Sequence, residues 1–111
     1  MESEKFMNID SIIERSQPFF KKYDGIIKVE LFGSFSKGTQ RENSDLDFLV
    51  TVKEGSKFSI MNFVELQMEL EEEFKRSVDI VNYDSLTSPW AKKSIIDSPT
   101  NICIYRNFEN K

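Results

Sequence analysis

Residues 26–50 of this 111-residue chain read IIKVELFGSFSKGTQRENSDLDFLV, and this stretch decides the fold. It begins with a β-branched and aromatic run, Ile26 to Phe32, which predicts a strand that stops at Gly33. Residues 33–44 are polar and hold two of the four glycines, which is typical of a loop. Asp45 to Val52 alternates in polarity and predicts a second strand. Two strands joined by a polar, glycine-containing loop therefore form the predicted centre of the fold.

Helical and strand patterns on both sides complete the prediction. Pro18 lies inside the first helical pattern and predicts either a kink or a helix that ends at about Gln17. The elements alternate as α-β-loop-β-α-β-α, which predicts a single α/β (α+β) domain over residues 1–111, with a small mixed β-sheet flanked by helices. The flanking elements are a helix at Ile9–Phe20, a helix at Ser59–Lys75, a strand at Ser77–Tyr83, a helix at Leu86–Ile96, and a short strand or packed tail at Ile102–Tyr105.

Composition narrows the function classes. Lys and Arg total 15 and Asp and Glu total 19, so the net charge of −4 argues against a protein that coats DNA or an anionic membrane surface. The hydrophobic fraction of 39% is sufficient for a packed core. No apolar stretch is long enough to span a bilayer, and the N-terminus lacks the apolar region of a signal peptide. A cytoplasmic protein is the expectation.

The cysteine and histidine counts exclude several kinds of site. Cys103 is the single cysteine, so no internal disulfide forms. The chain has no histidine, which excludes a Cys/His zinc site and every Ser-His or Cys-His nucleophilic mechanism. Any chemistry must therefore run on carboxylates, hydroxyls and the cations of Lys and Arg.

Gly33 and Ser34 lie where the first strand ends. A glycine at this place lets backbone N–H groups approach an anion closely, and the Ser34 hydroxyl can donate a hydrogen bond to a phosphate oxygen. The alternative interpretation is an ordinary turn, which is the commoner use of Gly-Ser at the end of a strand.

Three acids are the second chemical feature. Alternation along a strand places Asp45 and Asp47 on one face, where two like charges repel unless a cation lies between them. Asp79 lies in a short apolar strand, and if that strand is next to the second one, Asp79 points toward the pair. Three such carboxylates would hold two metal ions in the arrangement used at phosphorus. The alternative is a turn-capping Asp45 together with Asp47 and Asp79 on strand edges that face water.

Taken together, these motifs resemble the nucleotidyltransferase signature of the DNA polymerase β-like superfamily. Residues 33–38 (GSFSKG), Arg41 and residues 44–50 (SDLDFLV) carry the likeness, and Asp79 matches the third acid of the family. More closely, the chain is similar to the minimal nucleotidyltransferases (MNT family), one-domain prokaryotic proteins usually paired with a HEPN-domain partner. Lys37 departs from the family, because Arg is common there; Lys keeps the charge and loses the bidentate fork.

The resemblance implies transfer of AMP from ATP to an acceptor hydroxyl, with release of pyrophosphate. Asp45, Asp47 and Asp79 would be the catalytic and metal-binding residues, holding two Mg²⁺ ions, and Asp79 would also help to take the acceptor's proton. Lys37 and Arg41 would contact phosphate charge, although ordinary solvent-exposed loop cations are an equal alternative. The implied nucleotide-binding set is Gly33 and Ser34, which hold the β- and γ-phosphates, with Lys37, Arg41 and Ser44.

The acceptor is inferred from a missing feature. Superfamily members that modify small molecules generally carry a second domain for the acceptor pocket, and this chain ends soon after its last predicted helix. A protein acceptor is therefore favoured, namely a HEPN ribonuclease toxin that the chain, as its antitoxin, would neutralise by AMPylation. Two alternatives stay open: an antitoxin that acts by binding and occlusion alone, and an adenylyltransferase for a small hydroxylated molecule, completed by dimerisation. Direct DNA binding is not expected, and a homo- or hetero-oligomer remains open.

Overall fold

A computed structural model of the protein describes residues 8–33, 44–85 and 101–107. The helix predicted at Leu86–Ile96 lies outside the described residues. Every other predicted element is present, and the C-terminal alternation forms a strand and not a packed tail. The elements of the described residues are helices α1 (Ile9–Lys21) and α2 (Ile60–Phe74), strands β1 (Ile26–Phe32), β2 (Leu46–Val52), β3 (Val78–Asn82) and β4 (Ile102–Arg106), and a 3₁₀ turn at Tyr83–Ser85.

The four strands form one mixed sheet in the order β3-β2-β1-β4. Strand β1 lies antiparallel to both β2 and β4. Strand β3 lies parallel to β2, and α2 connects these two strands, as a parallel pair requires a crossover. The predicted α+β fold with a small mixed sheet is confirmed.

Pro18 predicted either a kink in the first helix or a helix end near Gln17, and the structure of α1 decides against the second. Its start is capped by the Asn8 side chain, which accepts a hydrogen bond from the Ser11 backbone N–H at 2.7 Å. The predicted end near Gln17 is wrong, because α1 continues through Pro18 to Lys21. Pro18 is exposed, so the carbonyl that loses its partner can be hydrated, and the fully buried Phe20 holds the last turn in the core.

Helix α2 begins and ends where its capping residues dictate. The Asn62 backbone N–H donates to Ser59 Oγ, and the Asn62 side-chain carbonyl accepts from the Ser59 backbone N–H, which forms a capping box. At the other end Lys75 adopts the left-handed conformation with φ of 55°, and its N–H bonds to the Glu71 carbonyl. These caps account for the difference of one residue at each end from the predicted Ser59–Lys75 helix.

Alternation along β2 divides the sheet into two faces. Leu46, Phe48 and Val50 are fully buried in the core cluster, so the intervening Asp47 and Leu49, and Thr51 after them, belong to the opposite face. No described helix is both long and apolar enough to cross a membrane. The core that both helices form with the sheet comprises Ile12, Phe20, Ile26, Val29, Leu31, Leu46, Phe48, Val50, Leu66, Leu70, Phe74, Val78, Ile104 and Tyr105.

Candidate active site

Two of the three predicted acids come from adjacent parallel strands. Asp47 of β2 and Asp79 of β3 are direct register partners, so their side chains project side by side from the same face of the sheet. This face is the one opposite the core-facing Phe48 and its partner Ile80. The pairing answers the question that the sequence left open, because β3 does lie next to β2.

Asp45 lies immediately before β2, two residues ahead of Asp47. Asp45 and Asp79 are exposed, whereas Asp47 between them is partly buried. The three acids therefore form a small negative cluster at the end of the sheet where β2 and β3 begin. The strand pairing places Asp79 beside Asp47, and the convergence of all three acids on one metal site stays a prediction.

The electrostatics of the cluster are concentrated on Asp47. The pKa of the Asp47 carboxyl is raised from its ordinary value of 3.8 to about 6, first by burial and then by the charges of Asp79 and Asp45 and a hydrogen bond with Asp79. When burial and neighbouring charges oppose the ionisation of a carboxyl group, a nearby positive charge stabilises its ionised form. The site is therefore prepared for a cation.

Gly33 is packed directly against this carboxylate. It follows β1, whose last residue Phe32 pairs with Asp47, and its φ of +79° is left-handed. A Cβ at this position would lie 2.1 Å from Asp47 Oδ2 and 2.9 Å from Asp47 Cγ. Only glycine satisfies both the backbone conformation and this contact. The start of the predicted phosphate-binding loop is thus held beside the central acid.

A second set of contacts joins the loop that precedes Asp45 to the connection between α2 and β3. Arg76 Nη1 donates to the Ser44 backbone carbonyl at 2.9 Å, and the Leu46 N–H donates to the Ser77 carbonyl at 3.0 Å. Asp45 lies between these two anchored residues. Arg76 therefore acts as a positioning residue for Asp45. The sequence analysis did not identify it. The feature that could have indicated this role is a cation just before the strand that carries Asp79.

The structure places some predicted site residues and not others. Gly33, Asp45, Asp47 and Asp79 are brought together, and Ser44 is next to them, with its backbone carbonyl bound by Arg76. The remaining predicted nucleotide-binding residues, Ser34, Lys37 and Arg41, lie outside the described residues.

The acids have the right chemistry for a hard divalent ion. Within residues 8–33, 44–85 and 101–107, no three acidic, histidine or cysteine side chains form a ready metal cage. Asp45 and Asp79 are exposed beside Asp47, and Mg²⁺ is commonly held by one or two carboxylates plus waters and substrate phosphates. The donor set therefore fits an ion that arrives with the phosphates of a nucleotide.

A large open cavity lies elsewhere and does not serve this chemistry. It measures about 620 Å³ and its lining includes Gly25, Lys53 and Phe58. Gly25 precedes β1 and Lys53 follows β2, so the cavity lies at the end of the sheet opposite the acids. We place the candidate active site at the acidic cluster, because the perturbed carboxylate and the close glycine contact are there.

Comparison with known proteins identifies the family of the chain. The model of the family described as polymerase beta, nucleotidyltransferase matches residues 14–109. The chain is 34% identical to "Putative protein adenylyltransferase MJ0435" of Methanocaldococcus jannaschii over 96 residues, which are 86% of this chain and 99% of that protein. It is also 34% identical to protein adenylyltransferase MntA of Thermococcus cleftensis over 84 residues, 76% of this chain and 83% of the relative.

A solved structure shares the fold. It is described as a toxin-antitoxin with AMP-PNP, and it superposes with a TM-score of 0.70 over 88% of this chain and 76% of the matched chain. The identity to that chain is 21%, so the likeness concerns the fold.

Proposed function

We propose a function that starts from the family to which this chain belongs, the polymerase beta nucleotidyltransferases. The chain moves AMP from ATP to a hydroxyl of a HEPN ribonuclease toxin. It thereby acts as the antitoxin of that toxin. The chain is a nucleotidyltransferase, and relatives that share about a third of its residues are named protein adenylyltransferases. The observation that carries the proposal is the side-by-side register of Asp47 and Asp79, with Asp45 two residues earlier. Carboxylates side by side in this way could hold the metal ions that stabilise attacking and leaving oxygens at phosphorus.

In the reaction, an acceptor oxygen forms a bond to the α-phosphorus of ATP while the bond from that phosphorus to the β-phosphate oxygen breaks. Pyrophosphate leaves with the electron pair of the broken bond. Asp45, Asp47 and Asp79 would hold two Mg²⁺ ions, which supply positive charge for the triphosphate and for the attacking oxygen. Asp79 is exposed on its strand and would help to take the proton of the acceptor hydroxyl.

The loop after β1 would hold the rest of the nucleotide. Gly33 offers its backbone beside Asp47, and we assign the β- and γ-phosphates to Gly33 and Ser34. Lys37 and Arg41 would balance phosphate charge. For Ser44 the geometry favours a structural contribution through its backbone carbonyl, which Arg76 binds.

The choice of a protein acceptor is supported by the comparisons and by the exposure of the acids. The relatives named above are protein adenylyltransferases, and a structure with the same fold comes from a toxin-antitoxin complex with an ATP analogue. The acid cluster is also open, since two of its three carboxylates are exposed, which suits an acceptor that presents its hydroxyl on a protein surface.

Intact-mass spectrometry tests the proposal directly. The cognate toxin incubated with this protein, Mg²⁺ and ATP is expected to gain one or more AMP masses. The matched control replaces ATP by an analogue with a methylene group between its α- and β-phosphates, which cannot release pyrophosphate and should give no mass gain. A toxin whose mass stays unchanged with ATP, while the two proteins form a stable complex, would favour occlusion.

Ser34→Ala is expected to weaken ATP binding by about 1–2 kcal/mol, the contribution of a hydrogen bond to a charged group. AMP binding should change far less, because Ser34 is assigned to the terminal phosphates. Calorimetry with both nucleotides in the presence of Mg²⁺ measures the difference. Equal losses for ATP and AMP would contradict the assignment.

Gly33→Ala is expected to lower the rate of AMP transfer about tenfold and the free energy of unfolding by about 1–2 kcal/mol, because a left-handed alanine is strained and its methyl group must displace the Asp47 carboxylate. Gly55→Ala is the matched control. Gly55 is also left-handed, with φ of +81°, but no atom lies within 4 Å of an added Cβ. It should show the stability cost without the loss of rate, and equal rates for the two variants would contradict the close contact.

A further inference from the structure

The connection between α2 and β3, residues 75–77, is short and lies between two buried residues. Phe74, the last residue of α2, packs in the core, and so does Val78, the first residue of β3. Between them Lys75 turns the chain in its left-handed conformation. Because both ends are anchored in the core, a group that is bonded to this connection is bonded to a rigid part of the molecule.

Glu71 holds the β3 end of the connection. Its Oε2 atom accepts a hydrogen bond from the Val78 backbone N–H at 3.1 Å. The Glu71 backbone carbonyl also accepts from the Lys75 N–H at 2.8 Å, which closes the last turn of α2. One residue of the helix therefore bonds to both ends of the connection, and the first N–H of β3 is satisfied by a side chain of α2.

Arg76 holds the segment that leads into β2. Its Nη1 atom donates to the Ser44 backbone carbonyl at 2.9 Å. The adjacent Ser77 carbonyl accepts from the Leu46 N–H at 3.0 Å. The chain is thus bonded to the connection immediately before and immediately after Asp45, which restricts where the backbone of this acid can lie.

Asp45 is the acid that most needs such a restraint. It lies one residue before β2, outside the strand pairing that aligns Asp47 with Asp79. Its side chain is exposed, and the like charges of the other two acids repel it. Backbone contacts on either side of Asp45 oppose this repulsion, because they hold its main chain beside the pair.

We propose that Glu71 and Arg76 act together as positioning residues that hold the three acids in place for a divalent ion. We call this pair of residues the α2–β3 brace. Glu71 acts on the start of β3, which carries Asp79, and Arg76 acts on the segment that carries Asp45. The inference rests on the proposed function, because the ion is the one that AMP transfer would use. Residues that orient metal ligands commonly change metal affinity about 10–100-fold when they are replaced.

Hydrogen bonds, and not charge, are what the brace is expected to supply. Glu71→Gln removes the charge and keeps an oxygen that can accept from the Val78 N–H, whereas Glu71→Met keeps no such acceptor. Arg76→Lys keeps a donor for the Ser44 carbonyl, whereas Arg76→Met keeps none. The two Met variants should therefore open the brace, and the Gln and Lys variants should largely preserve it.

Amide hydrogen exchange of the protein without nucleotide tests whether the brace holds the backbone. Arg76→Met should speed exchange of the Leu46 N–H about tenfold, because the segment before β2 loses one of its two anchors. Glu71→Met should speed exchange of the Val78 N–H by a similar factor, because its acceptor is removed. Exchange of Val29, in the middle of β1, is the internal reference and should not change.

Calorimetry then tests whether the brace serves the metal site. The probe is the ATP analogue with a methylene group between its α- and β-phosphates, and the natural chain should bind it more tightly as Mg²⁺ is added. Arg76→Met and Glu71→Met should need about 10–100-fold more Mg²⁺ to reach half of this gain. Without Mg²⁺, their affinity for the analogue should stay close to that of the natural chain. Glu71→Gln and Arg76→Lys should recover most of the Mg²⁺ response.

Glu72→Met and Lys75→Met are the matched controls, because they remove the same two charges at neighbouring positions. Glu72 Oε2 and Lys75 Nζ pair with each other at 2.8 Å on the exposed surface, so their loss leaves the brace intact. Both variants should show the natural Mg²⁺ response. A role in stability alone would lower the melting temperature of the Met variants at Glu71 and Arg76 and leave the Mg²⁺ response of the folded protein unchanged.

Two results would overturn the inference and leave the proposed function standing. One is unchanged exchange at Leu46 and Val78 in the Met variants. The other is faster exchange at these residues together with a natural Mg²⁺ response. A natural chain that binds the analogue equally well with and without Mg²⁺ would instead contradict the metal site of the proposed function, and the role of the brace would fall with it.

Discussion

Replacing Asp45 and Asp47 together by Asn is expected to abolish AMP transfer, with a loss of at least about 10⁴-fold, and to leave the domain folded. The two carboxylates supply most of the negative charge that would hold Mg²⁺ beside the α-phosphate. Their mutual repulsion with Asp79 opposes folding, so removing it should keep or raise the free energy of unfolding.

The test of this variant combines calorimetry with a measurement of transfer. Mg²⁺-dependent ATP binding should be lost in the double variant, whereas the melting temperature should stay the same or increase. An unchanged affinity for Mg-ATP would contradict the assignment of these acids as metal ligands. A marked fall in melting temperature would instead favour a structural role for them.

The pH dependence of stability gives an independent check on Asp47. Its pKa is about 6 in the folded protein and about 3.8 when unfolded, so the native state holds this proton more tightly. The resulting stabilisation is present below pH 3.8 and is lost as the pH rises through about 6. Because Asp47 is only partly buried, screening reduces the effect to on the order of 1 kcal/mol.

Asp47→Asn removes this contribution. Chemical unfolding of the natural chain and of Asp47→Asn, repeated at pH values from 4 to 7, should show a difference in stability that grows in favour of the variant as the pH rises. A constant difference across this range would mean that the pKa of Asp47 is not raised.

Asp79→Asn is expected to lower AMP transfer by about 10²–10⁴-fold, the usual contribution of a positioned proton acceptor. Binding of Mg-ATP should fall less than in the Asp45→Asn, Asp47→Asn variant, because we assign Asp79 to the side of the acceptor oxygen. The measurements are the initial rate of mass gain by the toxin and the affinity for Mg-ATP. Asp84→Asn, which changes an exposed acid outside β3, is the control and should keep the natural rate.

The same experiment separates transfer from occlusion. A toxin modified by the natural chain should stay inactive after this protein is removed, because an AMP phosphodiester does not dissociate as a complex does. If the toxin that Asp79→Asn fails to modify is neutralised as fully as by the natural chain, and regains activity on separation, then binding alone is the mechanism. The three acids would in that case require another explanation.

Most elements of the fold could be predicted from local patterns. Alternation in residues 45–52 and the apolar spacing of α2 place these elements to within about one residue, because side-chain periodicity and caps act over a few positions. The end of α1 could not be predicted in this way. Proline 18 signals a stop locally, but burial of Phe20 against the core outweighs that signal.

The residues of the candidate site also differ in how far local sequence patterns predict them. Gly33, Asp45 and Asp47 could be identified from residue type and spacing, because a glycine turn and a two-residue alternation are local properties. Arg76 could not, since its partner is the Ser44 carbonyl, which belongs to a segment distant in sequence. A hydrogen bond of this kind exists only once the strands are paired.

The sequence by itself narrowed the chemistry open to the chain: without histidine, and with Asp45 and Asp47 in one alternating run, that chemistry rests on carboxylates, hydroxyls and the cations of Lys and Arg. The tertiary structure decided which of these residues lie together. Asp79 joins the pair because α2 returns the chain parallel to β2 in the register that aligns it with Asp47. Burial and the neighbouring charges that this pairing creates then raise the pKa of Asp47. The physical reason is that alternation depends on adjacent residues, whereas strand pairing depends on the burial of a core shared by segments far apart in the chain.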